Sequence, residues 1–219
     1  NMAFPRLNLA GFWLFSVGGL LALITMLTRT VDSGWALYAG FGSGGSANVI
    51  LISLALVLLS LSSVFMGINI VVSIRQLRPA GMSMFEIPLF LWALFFTAIV
   101  QMLTLPVAVN TLILLVAEQG TSTGILDPAL FRSLSWAYVY PAALITILAA
   151  IGVVSELIPA FSRKAAHAYK STVFSMAAIA FLTLFSWGQH LFAGGQSAPA
   201  NAVFSLLNLA IFLPVLVLI

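Results

Sequence analysis

The sequence contains six long apolar stretches, separated by shorter segments rich in Gly, Ser or charged residues. The stretches cover roughly residues 10–28, 47–74, 86–116, 134–158, 168–194 and 199–219. Each is long enough to cross the hydrocarbon core of a bilayer, which takes about 20 mainly apolar residues in a helix. None shows the alternation of apolar and polar residues that marks a membrane β-strand. The pattern predicts an all-α fold, a polytopic bundle of six membrane-spanning helices that forms one transmembrane domain over residues 1–219.

Composition narrows the class of protein further. Of the 219 residues, 62% are hydrophobic and 6% are charged, whereas about a quarter of the residues in a soluble domain are charged. The sequence has no cysteine, which excludes disulfides and thiolate metal sites. The net charge of +3 provides no basic face of the kind that binds nucleic acid. We therefore expect the lipid bilayer and other membrane proteins as partners, and no nucleic acid.

The basic residues predict an orientation in the membrane. With the N-terminus in the cytoplasm, six of the eight basic residues lie on the inner side: Arg6, Arg75, Arg78, Arg163, Lys164 and Lys170. Arg29 and Arg132 lie outside. The positive-inside rule selects this arrangement, and an even number of spans then places both chain ends on the cytoplasmic side. Trp35, Tyr38 and Trp136, near helix ends, suit an interfacial aromatic belt.

Small residues inside the spans predict close packing between helices. Gly11 recurs with Gly18 and Gly19, and a serine group precedes Gly67: Ser60, Ser62 and Ser63. In membranes, such residues let helix backbones approach each other.

Polar residues deep in the spans predict side-chain hydrogen bonds between helices. We expect such bonds for Asn69, Gln101 and Asn110. Glu156 lies near the cytoplasmic end of its span, where it is expected to pair with one of the basic residues that follow, Arg163 or Lys164.

Several motifs extend along the chain in a recognisable order. They are MAFPRLN at 2–8, GMSMF at 81–85, PLFLWA at 88–93, FSRK at 161–164 and the run from Trp187 to Gly195. In this order they resemble helices three to eight of cytochrome c oxidase subunit I, in the haem–copper oxidase family. The resemblance implies the same helical scaffold. Because the chain starts at Asn1 and its last apolar run reaches Ile219, we expect residues 1–219 to be a segment of a longer protein.

The resemblance also implies which residues of this chain occupy the positions of the family's copper centre. The family's sixth helix reads His-Pro-Glu-Val-Tyr, and the corresponding run here is YPAAL at 140–144. Pro141 keeps the register. Tyr140 then replaces a copper ligand, Ala142 replaces a proton-relay glutamate, and Leu144 replaces a tyrosine that is covalently linked to a histidine.

The seventh and eighth helices show the same trend. The family's Trp-Ala-His-His run corresponds to WGQH at 187–190, so Gln189 replaces one copper ligand and His190 retains another. Leu218 stands at the position of a proton-channel lysine. Since one imidazole cannot make a copper site, we predict no metal or other cofactor within this segment. Haem is then possible only through ligands that lie outside it, because the family's haem ligands are on helices two and ten. His167 matches no family ligand and is expected to be a solvated loop residue.

Three functional hypotheses remain open. The first is a subunit of a respiratory or electron-transfer membrane complex that keeps the oxidase scaffold for structure or assembly, without a copper centre. The second is part of a longer or split terminal oxidase that binds haem elsewhere and takes part in aerobic electron transport. The third is a transporter or channel. Whether the protein is an enzyme stays open, although the replaced residues favour a segment that is not itself catalytic. A bacterial inner membrane is favoured over a mitochondrial one.

Overall fold

The computed structural model describes residues 2–28, 47–121, 126–164 and 168–218, which form six α-helices and two 3₁₀ segments. The α-helices are α1 (Pro5–Leu27), α2 (Ala47–Gln76), α3 (Leu89–Thr121), α4 (Pro128–Ser162), α5 (Tyr169–Thr183) and α6 (Ala198–Leu218). The 3₁₀ segments are Met84–Glu86, before α3, and Ser186–Gly194, after α5. The predictions that concern Asn1, Arg29, Trp35, Tyr38 and His167 lie outside the described residues.

The helices have the length and composition of membrane spans. α1, α2, α3, α4 and α6 each contain a strongly apolar window with at most two charged residues. α5 and the first part of the 3₁₀ segment, residues 186–192, pass the same test together as a pair bent by 43°. The predicted all-α membrane bundle is therefore confirmed, and the protein is an integral membrane protein.

The fifth span differs from the prediction of a continuous helix over 168–194. α5 ends at Thr183, and the chain continues in 3₁₀ geometry from Ser186. The hydroxyl of Thr183 donates to the carbonyl oxygen of Ile179 at 2.6 Å, and that of Ser186 donates to Leu182 at 2.8 Å. Such bonds to the preceding turn compete with the helix ladder and bend helices. Thr111 and Thr146 make the same bonds within continuous helices, so these bonds accompany the break and do not by themselves cause it. Apolar composition alone predicts the span but not its break.

Helices α1 and α2 are held together through small residues. The buried residues of α1 are Gly11, Gly18 and Thr25, whose spacing of seven places them along one side of the helix. A Cβ on Gly18 would lie 3.0 Å from the carbonyl oxygen of Ala55, and the hydroxyl of Ser62 donates to the carbonyl oxygen of Gly11 at 2.7 Å. Close packing at Gly11 and Gly18 is thus confirmed.

Two further glycines show how α3 is placed. α3 packs along both α2 and α4. A Cβ on Gly67 would lie 3.1 Å from Cγ of Met102 in α3, and a Cβ on Gly152 of α4 would collide with the side chain of Ala93. Gly67 therefore packs closely, as predicted. Gly19 does not, since a Cβ there would meet open space.

A buried amide fixes the start of α1. Asn69 is fully buried in α2; its Oδ1 accepts from the amide of Phe4 at 3.0 Å, and its Nδ2 donates to the carbonyl oxygen of Phe4 at 3.3 Å. Backbone groups at helix ends need such partners because the helix itself supplies none. The predicted interhelical bond is confirmed for Asn69. Within the described part of the chain, Gln101 and Asn110 make none.

The prediction for Glu156 is wrong. Neither Arg163 nor Lys164 forms an ion pair with it among the described residues; instead, Oε1 of Glu156 accepts from the backbone amide of Phe90 at 3.3 Å. Phe90 is the second residue of α3, where free amides favour a carboxylate. The carboxylate near the end of α4 therefore caps the neighbouring helix.

Tyr169 joins three parts of the chain at the same end of the bundle. Its hydroxyl accepts from Nε1 of Trp92 at 3.0 Å and donates to the carbonyl oxygen of Ile87 at 2.6 Å. The start of α3 is therefore fixed against the start of α5 as well as against the end of α4.

These contacts group the charges at one end of the bundle. The start of α1 lies beside the end of α2, and the start of α3 lies beside the end of α4 and the start of α5. This arrangement places six basic residues at one end of the bundle, which we call the basic end: Arg6, Arg75, Arg78, Arg163, Lys164 and Lys170. Arg132, near the start of α4, lies at the opposite end.

We predict that Gly18→Leu destabilises the bundle and that Gly19→Leu does not. A side chain at position 18 must displace backbone and side-chain atoms of α2 that lie 3.0–3.1 Å from its Cβ, and overpacking of this kind costs about 1–3 kcal/mol. The matched variant points into open space, so its effect should stay within about 0.5 kcal/mol. Thermal unfolding in detergent, followed by circular dichroism, measures both. Equal melting temperatures for the two variants would contradict the packing described here.

Candidate functional site

Three of the sequence-predicted positions meet in the structure. Tyr140 lies on α4, and Gln189 and His190 lie on the 3₁₀ segment after α5. The ring centroids of Tyr140 and His190 are 5.4 Å apart, and Nε2 of Gln189 lies 3.5 Å from Nε2 of His190. Together with Trp136 and Asn208, which are described next, these residues are called the central cluster.

Two neighbours complete the central cluster. The hydroxyl of Tyr140 donates to Oδ1 of Asn208 in α6 at 2.9 Å. The indole ring of Trp136 stacks on the imidazole ring of His190, with centroids 3.7 Å apart and planes within 5°. The cluster therefore joins α4, the 3₁₀ segment and α6 by side-chain contacts.

Neither of these partners is predicted from the sequence. The position of Trp136 near a helix end indicates the interfacial belt, and no motif includes Asn208. One signal could have identified Asn208, because it is an amide near the middle of the last apolar run, and polar residues at such depth have partners. No sequence signal shows the stacking, since it depends on where the 3₁₀ segment lies.

Local structure explains why the cluster forms. Trp136 and Tyr140 are four residues apart on α4 and so lie on the same face. On the other side, a Cβ on Gly188 would collide with the ring of Phe204. Glycine at this position therefore lets the 3₁₀ segment approach α6 closely, and this approach brings Gln189 and His190 toward Tyr140.

The donor set of the central cluster does not fit copper. Copper in protein sites is bound well by several imidazoles, and His190 is the one histidine among the described residues. The oxygen of Tyr140 is engaged with Asn208, and Gln189 offers a neutral amide. The part of the chain that the structure describes contains no group of three His, Cys, Asp or Glu side chains that could hold a metal ion. Chemically, the arrangement is a set of hydrogen bonds and ring contacts between helices.

The remaining predicted positions are Ala142, Leu144 and Leu218. Ala142 lines a cavity between α2, α3 and α4. Leu144 is half-buried one turn after Tyr140. Leu218 packs against a core group at the basic end that includes Ile74 and Leu89. The structure therefore brings together Tyr140, Gln189 and His190. Leu218 lies further along α6 than Asn208, at a distance of about 15 Å from it at the rise of an α-helix.

Comparison with known proteins gives one consistent result. Residues 1–219 match the family model described as Cytochrome C and Quinol oxidase polypeptide I. The chain is 35% identical to cytochrome c oxidase subunit 1 of Synechocystis sp., over 98% of this chain and 40% of that protein. It is 33% identical to cytochrome c oxidase subunit 1 of Bacillus subtilis, over 98% of this chain and 36% of that protein.

A third relative agrees with the first two. The chain is 34% identical to the putative cytochrome c oxidase subunit 1-beta of Streptomyces coelicolor, over 98% of this chain and 39% of that protein. The chain therefore spans about two fifths of the length of the curated relatives it matches. The match to the family model over every residue confirms the resemblance found in the motifs. The chain belongs to the family of cytochrome c and quinol oxidase polypeptide I, the subunit I of haem–copper oxidases.

Proposed function

We propose that this chain supplies the subunit I scaffold of a membrane electron-transfer complex as one transmembrane domain, and that it does so without a copper centre. The observation that carries the proposal is the hydrogen bond from Tyr140 to Asn208, beside the stack of Trp136 on His190. By the family resemblance, Tyr140 and Gln189 stand where copper ligands would be. Side chains that bind one another take the place of side chains that would bind a metal.

The central cluster is suited to a structural role. A hydrogen bond between helices in a membrane contributes about 0.6–2 kcal/mol, and an unpaired hydroxyl or amide in an apolar environment is costly. Tyr140 and Asn208 satisfy each other. The cluster can therefore tie α4 to the 3₁₀ segment and α6, as metal coordination would tie the same elements.

The apolar surface supports assembly with other membrane subunits and with lipid. Large side chains of α1 and α6 remain exposed, including Trp13 at 60% and Leu213 at 67%. We propose a bacterial inner membrane, in keeping with the bacterial sources of the relatives, with the basic end and both ends of this segment in the cytoplasm.

A second candidate function follows from the lengths of the relatives. Because the chain spans 36–40% of them, the whole protein can include helices beyond this segment. Haem would then be held by those helices, and the protein would carry electrons as part of a longer or split terminal oxidase. A haem absorption spectrum of the complex purified through this chain separates the two functions. The scaffold hypothesis predicts no haem absorption that belongs to this subunit.

The copper content of the purified chain tests the first proposal directly. We expect far less than one copper per chain by elemental analysis after reconstitution with copper. The variant Tyr140→His/Gln189→His adds two imidazoles beside His190, at positions that the fold brings together. We expect this variant to take up copper and to develop its electron paramagnetic resonance signal.

The control for that experiment is the same double variant with His190→Ala, which leaves two imidazoles in place of three. It should lose the gained copper while retaining its helical content. A wild-type chain that holds one copper per molecule would overturn the proposal, whatever the variants do.

We also predict energetic coupling between Tyr140 and Asn208. In a double-mutant cycle with Tyr140→Phe and Asn208→Leu, the coupling free energy should be about 0.6–1.7 kcal/mol, measured by unfolding in detergent. Tyr138→Phe is the matched control, because the hydroxyl of Tyr138 makes no hydrogen bond within the described residues. A coupling near zero would show that the bond does not hold the helices together.

A further inference from the structure

A cavity of about 590 Å³ lies between α2, α3 and α4. α3 packs along both of its neighbours, whereas α2 and α4 make little contact with each other. Leu105, Ala108 and Leu112 of α3 form the buried floor. The cavity is therefore a cleft with a floor and two walls, and its size falls within the range of small-molecule sites.

The cleft has a defined depth in the membrane. Along α4, its lining runs from Phe131 to Thr146, a distance of about 22 Å at the rise of an α-helix. Phe131 lies near the start of α4, and Thr146 lies near its midpoint. The lining residues of α2 and α3 also lie between about the midpoint and the end opposite the basic end. On α2 and α3 the lining extends about 10 Å, which fits within one leaflet of a hydrocarbon core of about 30 Å. Along α4 it extends further, toward the membrane surface at the start of that helix.

The chemistry of the lining favours a hydrocarbon occupant. Leucines and small residues dominate the walls and floor. The lining has six hydroxyls. Two are turned to their own helices: Thr111 donates to the carbonyl oxygen of Val107 at 2.7 Å, and Thr146 donates to that of Ala142 at 2.8 Å. The other four belong to Ser60, Ser63, Ser135 and Tyr138. No charged residue is among those that line the cleft. A ligand here would gain mainly from burial of apolar surface.

We propose that this cleft binds one acyl chain of a membrane lipid from the leaflet at the end opposite the basic end. The lining is mainly apolar and extends about 22 Å along α4, so the cleft can take a long apolar chain, and the bilayer supplies such chains at high concentration. Ala142 and Ala143 form part of the wall, and their small side chains leave the space that the chain fills. Trp136 lines the cleft and also belongs to the central cluster, but no step of this inference uses the proposed function.

Photolabelling of the full protein in detergent tests this inference. The probe is palmitic acid with a diazirine on its chain, and labelled peptides are identified by mass spectrometry. We expect saturable labelling of peptides from the cleft, which excess unlabelled palmitic acid abolishes. Labelling of the exposed outer faces of α1 and α6 should be weak and should not saturate.

Variants that fill the cleft provide the decisive comparison. Ala143→Phe places a ring into the space, and we expect the competed labelling to be lost. Ala150→Phe is the matched control: it lies two turns further along α4, it is also exposed, and it does not line the cleft. Its labelling should equal that of the unmodified protein.

Folding of both variants is checked by their melting temperatures. Leu56→Ala enlarges the cleft from the α2 wall and should keep or increase the labelling. It shows whether a substitution in the lining abolishes labelling through misfolding alone. Labelling that does not saturate in the unmodified protein, or that survives Ala143→Phe in a folded protein, would overturn the proposal.

Discussion

The hydrocarbon environment sets the constraint on which the rest of this structure depends. No water is available there to satisfy backbone N–H and C=O groups, so each spanning segment must pair them internally or cover them with protein. Helices satisfy this requirement, but association between them cannot rely on excluding water. The bundle meets that second demand with small residues: Gly11 and Gly18 between α1 and α2, Gly67 against α3, and Gly152 against Ala93.

The 3₁₀ segment after α5 is the part of the bundle that departs furthest from regular α-helical hydrogen bonding. Long 3₁₀ stretches are uncommon and often mark a hinge or a functional position. Here the segment is covered by α4 and α6, through the stack of Trp136 on His190 and the close contact of Gly188 with Phe204. The central cluster and the break in the span therefore belong together, because Gln189 and His190 contact their partners from the 3₁₀ segment that follows the break.

The site was predictable only in part. The motifs placed Tyr140, Gln189 and His190 in one group, and the fold brings them together. Asn208 was missed because its partner is 68 residues away in the chain. Glu156 was assigned to the nearest cations, but it caps α3 instead. In both cases the partner comes from another helix, and distance along the chain gives no measure of distance across a bundle.

The sequence by itself determined the all-α membrane class, the positions of the spans, the grouping of basic residues at one end and the family. These properties depend on composition, on runs of about 20 residues and on local motifs, which need no knowledge of neighbours. Only the tertiary structure decided which helix each polar side chain meets, where the fifth span breaks, and that α2 and α4 leave a cleft above α3. Those features arise from the relative placement of helices, which is set by contacts between residues far apart in the chain.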